Sequence, residues 1–319
     1  MNFSGFVKNE IIEKGVSGKC CKKAFLAGFI RSSGSIIEND GEYGFMCETD
    51  IENAVGYALR LVKELYSFSN FNTYSYTDKL NKKDRLVIEA FGQNAIDILF
   101  DLGILTKDDT DGEEGFALRL KSNKELLSKQ CCVRSFIKGM FVGGGQVTLP
   151  NENEKTATGY HLEVVFSHKV PAGEFAGHLA SNNLFAKTIS RKKQTVVYLK
   201  SAEEIKDFLA LINVPKSVLK ITDTMIVKQL SNNINRQKNC DLANVNKQII
   251  ANEKYLYAIE IIESTIGLSA LSDDLIKTAE YKKEYFEDTL SELAQRLSIT
   301  KSCLNHRLRK ILSIAEELK

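Results

Sequence analysis

Polar and basic side chains dominate a ten-residue stretch near the carboxyl end of the chain, and no acidic residue interrupts it. They are Lys301, Ser302, Asn305, His306, Arg307, Arg309 and Lys310. Lysine and arginine neutralise phosphates, and asparagine and arginine also form hydrogen bonds to base edges. The stretch therefore predicts a surface that contacts double-stranded DNA. A basic helix that binds a partner protein, or a plain solvent-exposed helix, is the alternative interpretation.

The flanking residues predict the two helices that would hold this surface. Thr289-Leu290-Ser291-Glu292 matches a capping box, so we expect a helix over 290–297. A three-residue turn follows, and Thr300 predicts the cap of a second helix that begins at Lys301. Apolar residues at helical spacing would face the core: Leu304, Leu308, Ile311 and Ala315. This spacing is typical of a helix-turn-helix over 289–312, whose second helix offers its first residues to the major groove.

Two further sets of residues are candidates for contact with DNA. One is Arg236 and Lys238, in an amide-rich helix predicted over 222–262. The other is Lys187, Arg191, Lys192 and Lys193, in or near a predicted pair of strands. Amide, guanidinium and ammonium groups form hydrogen bonds to phosphates. For both sets a solvated polar face is the alternative interpretation.

A segment that occurs twice organises the first two thirds of the chain. Residues 20–36 and 131–147 align without a gap. Gly28 and Gly139 lie in the middle of apolar runs that otherwise indicate helices. Because glycine weakens a helix by about 1 kcal/mol relative to alanine, its presence in both copies predicts two helices that pack closely, backbone against backbone. Gly34 and Gly145 are expected to end these helices as left-handed caps.

Each copy opens the same order of predicted elements, αββαββα. In the first copy they fall at 19–33, 35–38, 43–49, 53–66, 74–76, 85–90 and 95–102. In the second copy, strands are predicted at 146–149, 161–166, 187–191 and 195–199, and helices at 175–182 and 202–211. Beyond Pro215 only helices are predicted. The expected fold class is α+β, with pseudo-symmetric halves at 1–120 and 121–214 and an all-α domain at 215–319.

Composition and cysteine spacing narrow the class of protein. Of the 319 residues, 43% are hydrophobic and 26% charged, which is ordinary for a globular protein. No apolar run reaches membrane-spanning length and no signal-peptide pattern is present, so we expect a cytoplasmic protein without a membrane partner. The adjacent pairs Cys20-Cys21 and Cys131-Cys132 lack the C-x-x-C spacing of zinc sites. Buried structural cysteine is the favoured interpretation. A metal or redox site, formed if the two copies meet, is the alternative.

The first copy resembles the LAGLIDADG helix of homing endonucleases through Leu26-Ala27-Gly28-Phe29-Ile30-Arg31-Ser32-Ser33-Gly34. In that family the last acid of the motif binds the divalent metals that drive phosphodiester cleavage. Ser33 and Gly144 stand at that position here, and Arg31 and Val142 replace the earlier acid. Because hard cations such as Mg²⁺ require carboxylate oxygens, we expect the fold without nuclease activity, and neither metal nor cofactor. An endonuclease that uses acids elsewhere in the chain is the disfavoured alternative.

Two stretches near the carboxyl end add a second resemblance. Asn235-Arg236-Gln237-Lys238-Asn239-Cys240-Asp241-Leu242-Ala243-Asn244 and Ser302-Cys303-Leu304-Asn305-His306-Arg307-Leu308-Arg309-Lys310-Ile311, with the degenerate motif, are similar to the bacterial WhiA family. The resemblance covers nearly the whole chain. It implies a DNA-binding transcriptional regulator of cell division, chromosome segregation and sporulation, associated with the nucleoid. The LAGLIDADG-like halves would then bind DNA through a concave saddle, or bind another regulatory protein while only the C-terminal domain contacts DNA.

Overall fold

Each repeated segment forms a helix that leads directly into the first strand of a four-stranded antiparallel sheet. The computed structural model describes residues 2–78, 83–108, 115–150 and 159–318. They form two compact units, Met1–Val227 and Lys228–Lys319. The first unit begins with helix α1 (Phe3–Lys14) and contains both copies of the repeat.

The first half of this unit follows the predicted order of elements. They are α2 (Lys19–Ser33), β1 (Gly34–Asn39), β2 (Glu42–Thr49), α3 (Glu52–Tyr66), β3 (Asn72–Asp78), β4 (Lys83–Phe91) and α4 (Gln93–Asp101). The strands pair in the order β1-β2-β4-β3. Asp40 and Gly41, at φ 50° and 82°, form the tight turn between β1 and β2 that an Asp-Gly pair favours. A hairpin of β5 (Leu105–Asp108) and β6 (Gly115–Leu118) follows α4 and was not predicted, because four-residue strands are too short to show a clear alternation.

The second half repeats this topology. Its elements are α5 (Gln130–Gly144), β7 (Gly145–Thr148), β8 (His161–Phe166), α6 (Lys169–Ala180), β9 (Lys187–Arg191), β10 (Gln194–Leu199) and α7 (Ala202–Leu211). The order β7-β8-β10-β9 matches that of the first sheet, which confirms the pseudo-symmetric α+β prediction. Helix α6 begins earlier than predicted. Pro171 lies in its first turn, where the missing N–H of proline is tolerated.

Both sheets turn one face toward a core that surrounds α2 and α5. In β8, Leu162, Val164 and Phe166 are buried and alternate with half-buried residues. The two helices add the largest side chains of this core: Phe25, Phe29, Phe136 and Phe141. Burial of one such side chain stabilises the folded chain by about 1.5–3 kcal/mol. The helix pair is therefore the structural centre of the first unit.

The two repeat helices contact each other backbone to backbone at their glycines. A Cβ atom at Gly28 would overlap the carbonyl oxygen of Phe136, and one at Gly139 would overlap the carbonyl oxygen of Phe25. The contact is reciprocal, so the two sequence copies are also related in space. Any side chain at either glycine would push the helices apart.

The prediction that Gly34 and Gly145 are left-handed caps is wrong. Their φ angles are −102° and −89°, so both residues are extended. A Cβ atom at Gly34 would lie 2.5 Å from the carbonyl oxygen of Ile30, and one at Gly145 would lie 2.5 Å from that of Phe141. Glycine is required here for space, because the chain turns from helix to strand without a connecting loop.

The second unit consists of helices around a core of its own. They are the part of α8 (Pro215–Thr265) that follows Val227, α9 (Asp273–Glu284), α10 (Leu290–Arg296) and α11 (Lys301–Glu317). This core includes Ala258, Ile259, Ile262, Leu275, Leu293, Leu304, Leu308 and Ile311. Among the residues that the structure describes, no helix has both the length and the apolar character needed to cross a membrane.

Helix α8 contributes residues to both cores. At its start, the buried carboxylate of Glu10 accepts hydrogen bonds from the backbone N–H groups of Lys216 and Ser217, both at 2.8 Å, which satisfies donors that a helix start leaves free. Ile221 is buried in the first core and Ile259 in the second. The first compact unit therefore extends past the predicted boundary between residues 214 and 215. Residues 226–250 of α8 are exposed throughout.

Candidate nucleic-acid interface

Hydrogen bonds at two helix starts fix the helix-turn-helix in the second unit. The Thr289 hydroxyl accepts from the Glu292 N–H at 3.3 Å, and the Glu292 carboxylate accepts from the Thr289 N–H at 2.8 Å. This is the predicted capping box. Thr300 caps α11 in the same way, with its hydroxyl 3.2 Å from the Cys303 N–H. Between them Ser298 adopts φ 56°, which allows the tight turn that aims α11.

Helix α11 has one buried side and one polar side, as predicted. Leu304, Leu308, Ile311 and Ala315 are buried. Lys301, Ser302, His306, Arg309 and Lys310 are exposed, and Asn305 is half-buried beside them. The spacing of three and four residues places most of this set on adjoining turns of one helix side. That side offers amide, hydroxyl, imidazole and cationic groups without a carboxylate, which suits base edges and phosphates together.

Arg307 does not belong to the exposed set, and the prediction that it is exposed is wrong. Its side chain is only 17% exposed, and its Nη2 atom lies 3.0 Å from the Oδ1 atom of Asp274 in α9. Position 307 borders the buried stripe of Leu304 and Ile311 around the helix, so the side chain reaches α9. Sequence reasoning missed Asp274 because nothing in the sequence indicates which helix packs beside α11. The pair joins α11 to its neighbour.

The second sheet carries the other predicted basic residues. Lys187 and Arg191 are four residues apart and therefore lie on the same side of β9. Lys192 and Lys193 form the turn to β10. All four are exposed. The Glu163 carboxylate lies 3.8 Å from the Nη1 atom of Arg191 and 3.0 Å from the Nε2 atom of His161. The four basic residues outnumber this carboxylate, so the hairpin surface is cationic.

The corresponding surface of the first sheet has a different character. The Tyr74 hydroxyl donates to Glu89 at 2.7 Å, and the Tyr76 hydroxyl donates to Glu48 at 3.2 Å. The hydrogen bond to Glu89 raises the pKa of Tyr74, and desolvation together with the Glu48 charge raises the pKa of Tyr76. Carboxylates bonded to tyrosines repel phosphates rather than bind them. The sequence prediction did not foresee this contrast between the two sheets.

The positions of the lost catalytic acids hold no carboxylate. The Ser33 hydroxyl donates to the Phe29 carbonyl at 2.7 Å within its own helix, and a Cβ atom at Gly144 would lie 2.9 Å from the Val165 carbonyl oxygen. The neighbouring Arg31 guanidinium donates to backbone carbonyls, including those of Gly103 at 2.6 Å and Arg119 at 2.8 Å. Burial lowers the pKa of Arg31 to about 10, so it remains a cation at neutral pH. Neither Ser33 nor Gly144 therefore offers the carboxylate oxygens that a hard cation requires.

Arg236 and Lys238 lie on the part of α8 whose side chains are all exposed. Their neighbours on the helix are amides, and several exposed apolar side chains accompany them: Leu230, Ile234, Leu242, Val245 and Ile249. The structure therefore leaves both cations accessible to a ligand.

Comparison with known proteins gives matches over the whole chain. The family described as WhiA C-terminal HTH domain matches residues 234–315, and the WhiA LAGLIDADG-like domain matches residues 133–231. The Probable cell division protein WhiA of Bacillus velezensis is 34% identical, across 100% of this chain and 98% of that protein, and the Bacillus subtilis protein of the same name has the same values. The full-length WhiA crystal structure from T. maritima aligns with a TM-score of 0.57 at 22% identity, covering 99% of each chain.

Proposed function

The chain belongs to the WhiA family, and from that premise we propose that it is a non-catalytic, sequence-selective DNA-binding protein that regulates transcription. The polar side of α11 is the observation that carries the proposal, because it combines base-competent and phosphate-competent groups on a firmly capped helix. The relatives are named probable cell division proteins. We extend that role to this chain, with chromosome segregation, with a role in sporulation where the organism sporulates, and with association with the nucleoid.

The residues of α11 divide by their place along the helix. Lys301, Ser302 and Asn305 lie in the first turns, which a helix-turn-helix presents to base edges. His306, Arg309 and Lys310 follow, where cations contact phosphates. Arg307 acts through Asp274, holding α11 against α9. Arg236 and Lys238 of α8 are proposed as additional phosphate contacts, since both are exposed.

The absence of catalysis is proposed from the ends of α2 and α5. Cleavage of a phosphodiester in the LAGLIDADG manner needs carboxylates that hold hard cations there. This chain has Ser33 and Gly144 at those places, and Arg31, earlier in the motif, donates its hydrogen bonds to backbone carbonyls. Those replacements remove the ligands. The scaffold would then serve binding alone.

A double substitution on α11 tests the proposal. Asn305→Ala with Arg309→Ala is expected to weaken specific binding by at least about tenfold, because a bidentate base contact contributes about 1–3 kcal/mol. Fluorescence anisotropy with genomic and random-sequence duplexes measures the affinity, and gel electrophoresis of the same duplexes with and without Mg²⁺ measures any cleavage. Lys277→Ala, an exposed cation on α9, is the control and should leave specific binding unchanged. Unchanged specific binding in the double variant would remove the assignment of α11, and Mg²⁺-dependent fragments would remove the claim of no catalysis.

A second candidate function rests on the first sheet. Its carboxylates Glu48 and Glu89, bonded to exposed tyrosines, suit a basic protein surface better than DNA. In that case the LAGLIDADG-like domain would hold a regulatory protein while the helix-turn-helix contacts DNA. Glu48→Gln with Glu89→Gln, tested in the full chain, should then leave DNA affinity unchanged and weaken capture of a purified basic partner. A clear rise in DNA affinity would instead place phosphates near this sheet.

A further inference from the structure

The amino-terminal ends of the two repeat helices bring four cysteines together. Cys20 and Cys131 are the second residues of α2 and α5, and Cys21 and Cys132 follow them. The Sγ atoms of Cys20, Cys21 and Cys132 all lie within 4.8 Å of one another. Cys131, next to Cys132 in α5, lines the same cavity as Cys21, although its Sγ atom lies outside that 4.8 Å set. The two cysteine pairs therefore meet, as the metal or redox interpretation of the sequence requires.

The pairing of the helices explains why the cluster forms. The helices lie in the same direction and in register, because Gly28 faces Phe136 and Met140 while Gly143 faces Ser32 near the opposite end. Cysteines at equivalent positions of the two copies must then meet at the shared amino-terminal end. Cys21 and Cys132 are buried there, whereas Cys20 and Cys131 are exposed. The interpretation of these residues as buried structural cysteines therefore fits only one member of each pair.

The cavity beside the cluster is lined by cationic side chains and by no acidic one. Cys21 and Cys131 line a cavity of about 380 Å³ together with Lys14, Arg134 and Lys138. Lys138 is only 9% exposed, and its side chain forms no hydrogen bond or ion pair with another residue in the described part of the chain. Its ammonium group reaches the cavity, so its charge is only partly desolvated. An anionic group at the cysteines would stabilise it.

We propose that Cys20, Cys21, Cys131 and Cys132 bind one Zn²⁺ ion as a tetrathiolate. Thiolates select soft or borderline cations over Mg²⁺, and tetrahedral Zn–S bonds of about 2.3 Å place sulfur atoms about 3.8 Å apart. Three of the four Sγ atoms already lie within 4.8 Å of one another, and a rotation of the exposed Cys131 side chain toward them would complete the tetrahedron. Each thiol gives up its proton to solvent as its sulfur binds the metal, so four protons are released. The resulting site has a net charge of −2, which Lys138 and its cationic neighbours offset.

Such a site would join α2 and α5 at their amino-terminal ends. Their opposite ends are the points where the chain passes from helix to strand, at Gly34 and Gly145. Soft-metal binding also explains why an exposed and a buried thiol occur side by side in each copy. The exposed pair provides entry for the ion, and the buried pair completes its coordination. This role is independent of DNA binding by α11.

Titration of the reduced, metal-free full chain with Co²⁺ tests the site, since Co²⁺ substitutes for Zn²⁺ and absorbs visible light in tetrahedral thiolate coordination. One equivalent of Co²⁺ should produce thiolate-to-metal charge-transfer bands, and Zn²⁺ should abolish them. Cys20→Ser and Cys132→Ser should each weaken binding by more than about tenfold. Cys240→Ser, at an exposed free cysteine on α8, should bind as the native chain does.

A second measurement needs no variant. Alkylation followed by peptide mass spectrometry should show that Zn²⁺ protects Cys20 and Cys131 while Cys240 stays reactive. Absence of stoichiometric Co²⁺ binding would overturn the proposal, and so would an affinity equal to that of the native chain in Cys20→Ser and Cys132→Ser. A Cys20–Cys132 or Cys21–Cys131 disulfide in the native protein, with no metal uptake after reduction, would overturn it as well and indicate a redox role.

Discussion

At the scale of single residues, the helix pair depends on two hydrogen atoms where side chains would normally stand. A methyl group at Gly139 would overlap the Phe25 carbonyl oxygen and lie 2.8 Å from the Phe29 nitrogen. Both neighbours are backbone atoms, so they cannot move without shifting α2. We expect Gly139→Ala to lower the free energy of unfolding by about 1–3 kcal/mol or more. Urea denaturation followed by circular dichroism measures the change.

Gly177 provides the matched control for this substitution. It lies inside α6, is exposed, and a Cβ atom there would meet nothing within 4 Å. Alanine is better than glycine in such a helix, so Gly177→Ala should stabilise the chain by about 0.5–1 kcal/mol. Effects of the same sign at both positions would contradict the close helix contact.

Residues also show where reasoning from the sequence stops. The capping box at Thr289 and the glycine contacts could be predicted, because each depends on residues a few positions apart or on an aligned repeat. Arg307 could not be placed, since its partner Asp274 belongs to another helix. The thiol cluster was only partly predictable, because the aligned repeat showed that the cysteine pairs are equivalent but not that they meet. Its formation needed the relative direction of α2 and α5, which only the packing of Gly28 and Gly139 decides.

At the scale of elements, the helices and strands with a strong local sequence pattern were predicted correctly, and those with a weak pattern were missed. Helix α7 begins and ends where its pattern predicts, at Ala202 and Leu211. The β5–β6 hairpin escaped notice because its strands are four residues long. The contrast between the two sheets was also missed. It depends on strand register, which directs Glu48 and Glu89 toward exposed tyrosines, and register is a property of pairing rather than of one strand.

The cationic hairpin of the second sheet supports a prediction about salt dependence. If Lys187 and Arg191 contact phosphates, Lys187→Gln with Arg191→Gln should reduce the slope of log affinity against log salt by up to about 2, since each contact contributes about 0.9. Anisotropy of a random-sequence duplex over a salt series measures the slope. Lys63→Gln with Lys124→Gln removes equal charge from exposed positions elsewhere in the first unit. Equal slopes in the two double variants would assign DNA binding to other elements.

At the scale of the whole molecule, the chain has two separate cores and should show two unfolding transitions. Leu179 is fully buried in the first core and Leu308 in the second. Replacement of a buried leucine by alanine costs about 2–5 kcal/mol. In differential scanning calorimetry, Leu179→Ala should therefore lower the midpoint of one transition and Leu308→Ala that of the other. DNA binding should be lost at a lower temperature in Leu308→Ala alone, because α11 belongs to the second core. If either substitution shifts both transitions equally, the two units unfold as one cooperative body, and the division of the chain into a scaffold and a DNA-binding unit fails as a description of its stability.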